Sequence, residues 1–87
     1  MATLNSLLAP DLVLPGSQWT LLSDVNGYGR PTGDSLTTQG RHGRSIRLLQ
    51  RSGDRLLVQL LEDGYRCWMD LDALIGRAKQ LPYWKPT

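Results

Sequence analysis

The apolar stretch Leu56-Leu57-Val58-Gln59-Leu60-Leu61, interrupted only by Gln59, stops abruptly at Glu62-Asp63-Gly64. Side chains alternate across a strand, so Leu56, Val58 and Leu60 share one face and Leu57, Gln59 and Leu61 the other. This predicts a strand over 55–61. Just before it, residues 45–51 set Ile46 and Leu48 against Arg47, with Leu49 blurring the alternation. Ser52-Gly53-Asp54 between the two runs predicts a hairpin turn. Residues 65–70 follow as a further strand, and 71–75 as a helical turn with Asp70 at its N-cap. Upstream, 19–23 reads as a short strand. Residues 35–39 read as another, with Leu36 inward and Thr37 and Thr38 supplying β propensity. The stretch 24–31 is dense in turn formers, and its Asn26-Gly27 dipeptide predicts a loop. Gly40 to Gly43 reads as a turn.

Short strands separated by turn signals predict an all-β fold: a small antiparallel barrel of five or six strands with a short helical turn near the C-terminal end. Nine glycines leave little room for a long helix, except over 71–81. An OB-like barrel is the competing fold. The barrel is expected over 17–76. Residues 1–16, broken by Pro10, Pro15 and Gly16, read as a flexible leader, on which Leu7 and Leu8 are free to pack or not. Residues 77–87 read as a tail or the start of a linker to a catalytic domain outside this chain.

Composition narrows the partners. Eighty-seven residues with a 40% hydrophobic share suit one domain with one core. A net charge of +2 is low for a nucleic-acid module. Five arginines (Arg41, Arg44, Arg47, Arg51, Arg55) cluster mid-chain, but no aromatic lies between Tyr28 and Tyr65 to stack a base. They read as a solvated outer face. No apolar run is long enough to span a membrane. Cys67 is the single cysteine and His42 the single histidine. One of each, far apart in the pattern, predicts neither a nucleophile–base pair nor a metal centre nor a disulfide. No cofactor is expected. The leader has no basic start ahead of its apolar residues, so the cytoplasm is the expected compartment. A monomer is expected.

The landmarks Asn26-x-Tyr28-x-x-Pro31 and Glu62-Asp63-x-Tyr65-x-x-Trp68, at this spacing, resemble the amino-terminal bacterial SH3-like domain of cyanobacterial NlpC-type cell-wall peptidases. The resemblance covers about residues 19–75. It departs at Arg66-Cys67, where the family often has Pro-Gly. The resemblance implies an SH3-like barrel that is itself noncatalytic. In such enzymes a separate C-terminal peptidase domain cleaves peptidoglycan stem peptides between γ-D-glutamate and the diamino acid. The barrel shapes the pocket for the free amino end of that muropeptide. Carboxylates and a phenol oxygen accept hydrogen bonds from an ammonium group. Carried over by residue, the ligand-binding candidates are Glu62, Asp63 and Tyr65, with Tyr28 across a groove from Tyr65. Trp68 is expected inside the barrel, supporting the fold. Tyr83 and Trp84 either fold back on the barrel or pack on the further domain. The alternative function is a free-standing module that binds an extended peptide; a third is a nucleic-acid barrel, disfavoured by the acidic Glu62-Asp63 edge.

Overall fold

In a computed structural model, residues 7–80 are described. They form seven strands, β1 (Gln18–Leu21), β2 (Val25–Tyr28), β3 (Leu36–Gly40), β4 (Ser45–Ser52), β5 (Arg55–Leu60), β6 (Arg66–Asp70) and β7 (Ala78–Gln80). One short helix, α1 (Leu71–Leu74), sits between β6 and β7. The strands make a single antiparallel sheet in the order β3-β2-β6-β5-β4-β1-β7, curled into a half-barrel as in SH3-like folds. The all-β barrel class is as the alternation predicts. The strand count is seven rather than five or six.

The β4–β5 hairpin is the longest ladder. Its two-residue loop, Gly53-Asp54, joins the paired residues Ser52 and Arg55, and Gly53 has φ +58°. A glycine at the first loop position with positive φ is what a II′ turn requires. The register shifts between Leu48 and Gln50, so Leu49 is the extra residue of a bulge. This is why Leu49 blurs the alternation: after it, Gln50 faces Leu57 and the outward side is kept.

The concave inner face carries the core. Trp19, Leu21, Ile46, Leu48, Leu56, Val58 and Met69 are all at most 1% exposed. Full burial of one such aliphatic side chain contributes about 1.5–3 kcal/mol. Helix α1 closes one side with Leu71 and Leu74. Asp70 occupies the N-cap position, but its side chain makes no capping bond; the carboxylate is held by Arg55 instead.

Four expectations are corrected. Residues 25–28 are a strand, not a loop. Asn26-Gly27 reads locally as a turn, but Gly27 is needed for close packing: a Cβ there would stand 2.6 Å from Cys67 Sγ and 2.8 Å from Thr38 Cγ2. Leu36 is not inward; it is 58% exposed, because β3 is the edge strand and only its Gly40 is buried. Trp68 is not inside. Cys67 and Met69 take the inner face of β6, so the alternation sends Trp68 outward, half-buried. Residues 78–80 are a strand, β7, paired with β1.

On both sides of the 17–76 span, further residues join the sheet. Leu8 is buried, its N–H donates to Ala78 O, and its carbonyl accepts from Gly76 N. Pro10–Leu12 form one 3-10 turn, and Leu7 bridges Lys79 on β7. Tyr83 and Trp84 lie outside the described residues.

Candidate functional site

The acidic stretch after β5 is one compact turn. Gly64 N donates to Leu60 O and Leu60 N to Tyr65 O, both at 2.8 Å. Gly64 has φ +76°, a conformation glycine adopts without strain. Asp63 Oδ1 accepts the backbone N–H of Tyr65 at 3.0 Å, and Gln59 Nε2 donates to Gly64 O at 3.3 Å. Glu62, Asp63 and Tyr65 are therefore gathered on one exposed tip. One Asp63 oxygen is committed to the turn. Glu62 Oε1 lies 3.3 Å from Arg44 Nε, with both side chains about half exposed. A pair so open to water is held weakly and leaves the carboxylate available to another cation.

Tyr28 stands elsewhere. On β2 it pairs with Trp68 of β6 and Leu36 of β3. Trp68 is three residues beyond Tyr65, roughly 10 Å along an extended chain. The ring of Tyr28 is covered by the Arg55 guanidinium, 3.8 Å from its centroid. Arg55 Nε donates to Asp70 Oδ1 at 2.7 Å, and Nη1 to Arg30 O at 3.2 Å. Its side chain is only 11% exposed. The structure thus brings Glu62, Asp63 and Tyr65 together and gives Tyr28 to a different assembly, the Arg55–Asp70 pair.

Sequence reasoning set Arg55 on the outer face but missed its pairing with Asp70 and Tyr28, and it missed Trp68 as a member of that face. Arg66-Cys67-Trp68-Met69-Asp70 carried the signal: charged residues at both ends of an alternating strand place Trp68 on their side. The contact between Arg55 and Tyr28 joins residues 27 positions apart and had no local signal.

Cys67 is buried, and its thiol is pushed up to about 11, first by burial and then by the negative charge of Asp63. It is neutral at physiological pH and packs against Gly27. His42 sits in the turn after β3, where its backbone N–H donates to Asp24 Oδ1 at 2.8 Å. Among the described residues, no three His, Cys, Asp or Glu side chains are placed to hold a metal ion, and no helix is long and apolar enough to cross a membrane.

The sequence model of the bacterial dipeptidyl-peptidase SH3 domain matches residues 27–74, which is 48 of the 87 residues. No curated protein matches the chain. The match runs from the last two residues of β2 to the end of α1 and includes the acidic turn and Trp68. The chain belongs to this family of bacterial SH3 domains, which are accessory to peptidases and noncatalytic alone.

Proposed function

We propose that this bacterial peptidase SH3 domain is the substrate-recognition part of an NlpC-type peptidoglycan endopeptidase, linked to a C-terminal peptidase domain. In this reading, the turn of Glu62, Asp63 and Tyr65 shapes the pocket for the free amino end of a stem peptide. Family membership over residues 27–74 is the observation that carries it. The turn supports it chemically. It presents acceptor oxygens on a backbone fixed by four hydrogen bonds, so little ordering is needed on binding. Tyr28, half-buried with the Arg55 guanidinium over its ring, stands apart from this turn.

The test is a nuclear magnetic resonance titration of the chain with a stem tripeptide, Ala-γ-Glu-diamino acid, against its N-acetylated form. Free-amine peptide is expected to shift amides 62–65, and acetylation to remove the effect. Glu62→Gln is expected to weaken binding by about tenfold, the order of one charge-assisted hydrogen bond. Equal binding of the acetylated peptide, or unchanged affinity in folded Glu62→Gln and Tyr65→Phe variants, sinks the reading.

One observation favours the alternative, a module for an extended peptide. Strand β3 is an edge strand without a charged residue, and its Leu36, Thr37, Thr38 and Gln39, with Asn26 of β2, line an open depression of about 410 Å³. An uncharged edge can accept a further strand. Shifts confined to β3 in the same titration select this reading.

A further inference from the structure

Register sets a polar row across the convex face of the sheet. Arg47 on β4 faces Gln59 on β5, Gln59 faces Arg66 on β6, and Gln18 continues the row on β1. Two strand spacings separate the backbones of Arg47 and Arg66, roughly 10 Å. One step along the strands runs an apolar row, Leu57 opposite Trp68 and Trp68 opposite Tyr28, all half-buried.

The arginines of the central strands and their turns are not equivalent. Arg44 pairs with Glu62, Arg55 with Asp70, and Arg51 Nε donates to Gly53 O. Arg47 and Arg66 make no ion pair and donate no side-chain hydrogen bond among the described residues. Arg47 is half-buried in the middle of the sheet, with its stem beside the row and no counter-charge paired to it among the described residues. A guanidinium in that position is matched by a carboxylate, which it binds through two parallel N–H bonds. A continuous polyanion fits poorly. The net charge is only +2, and Glu62 and Asp63 lie in the β5–β6 connection that leads into Arg66. Two separate cations beside an apolar row instead fit a short extended segment with two carboxylates and an apolar group between them. In such a segment, alternate side chains stand about 7 Å apart on one side. The long arginine stems close the remaining difference.

We propose that Arg47 and Arg66, with Gln59 between them and Trp68 and Leu57 alongside, form a binding site for an acidic extended peptide. Its carboxylates meet the two guanidiniums, and its apolar side chain lies on Trp68. The site shares Gln59 with the acidic turn, where its side chain donates to Gly64 O, but it takes carboxylates rather than an amine.

The probe is the tripeptide glutamyl-leucyl-glutamate, acetylated and amidated so that it has no free amine. It is titrated into the isotope-labelled 87-residue chain, beside the glutamine analogue. The expected result is saturable shifts at amides 47, 59 and 66 and at the Trp68 indole, with no response to the glutamine analogue. Arg47→Gln and Arg66→Gln are each expected to weaken binding about tenfold, while Arg44→Gln and Arg51→Gln leave it unchanged. Circular dichroism confirms that the variants fold. Four outcomes overturn the proposal: no shift at tens of millimolar peptide, equal binding of the glutamine analogue, equal binding to both Arg47 and Arg66 variants, or shifts centred on Arg41, Arg44 and Arg51. Tighter binding of a single-stranded oligonucleotide than of the peptide at the same residues overturns the choice of a peptide.

Discussion

Trp19 and Trp68 are the two tryptophans of the described sheet, and they sit on opposite faces of it. Trp19 is fully buried, and its indole N–H donates to Ser17 Oγ at 2.9 Å. Trp68 is half-buried on the convex side, between Leu57 and Tyr28. The inner face is packed so closely that a side chain at either of two of its glycines would force its neighbours to move. A Cβ on Gly27 meets Cys67, and one on Gly40 stands within 2.7 Å of both Leu21 and Met69. The outer face has no such constraint and carries aromatic surface in partial contact with water. The inner face therefore fixes the shape, while the outer face is left to meet something else.

Replacing the two tryptophans is the strongest way to break this contrast. Trp19→Ala is expected to cost about 3–5 kcal/mol, enough to unfold much of a domain of this size. Trp68→Ala is expected to cost less than about half of that, because its burial is partial and water refills the space. Urea unfolding of both variants measures the difference. Equal costs would mean that the convex face is part of the core.

Cys67 sharpens the contrast through pH. Its thiol titrates at about 11 in the folded chain against 9.0 for a free thiol, because burial disfavours the thiolate. The folded state therefore holds the proton more tightly. Below pH 9 both states are protonated and the thiol adds no pH dependence. As pH rises from 9 to 11, the unfolded chain ionises first and stability falls, by roughly 2–3 kcal/mol in total. Cys67→Ala is expected to lack this part of the alkaline loss when unfolding is followed at pH 8, 9, 10 and 11. Parallel curves for the two proteins would mean that water reaches the sulfur.

Legibility in the sequence follows the same division. The inner face of β4 and β5 could be read from alternation alone, since Ile46, Leu48, Leu56, Val58 and Leu60 are all buried. The hairpin between them was marked by its glycine. Where tertiary packing overrides a local signal, the reading failed. Gly27 carries a turn dipeptide but serves close approach of Cys67 and Thr38. Leu36 looks like a core residue but lies on an edge strand with no sheet beyond it. The compact acidic turn was legible because its Asp and Gly act within five residues. The seating of Tyr28 under Arg55 was not, because it depends on strand order rather than on spacing.

The smallest expected effects divide the outer face itself. Arg44–Glu62 and Arg55–Asp70 are the two ion pairs among the described residues. Arg44 and Glu62 are 57% and 47% exposed and 3.3 Å apart, so a double-mutant cycle is expected to give a coupling of only about 0.2–0.5 kcal/mol. Arg55 is 11% exposed, 2.7 Å from Asp70, and stacked on Tyr28. Its cycle with Asp70, using Arg55→Met and Asp70→Asn, is expected to give about 1–2 kcal/mol, since one partner is largely shielded from water. Raising ionic strength to 1 M shortens the screening length to about 3 Å and should erase the first coupling while leaving most of the second. Equal couplings that vanish together in salt would mean that Arg55 is as wet as Arg44. Tyr28 would then be free to present its ring beside Trp68, and the convex face would offer two aromatic rings to a ligand instead of one.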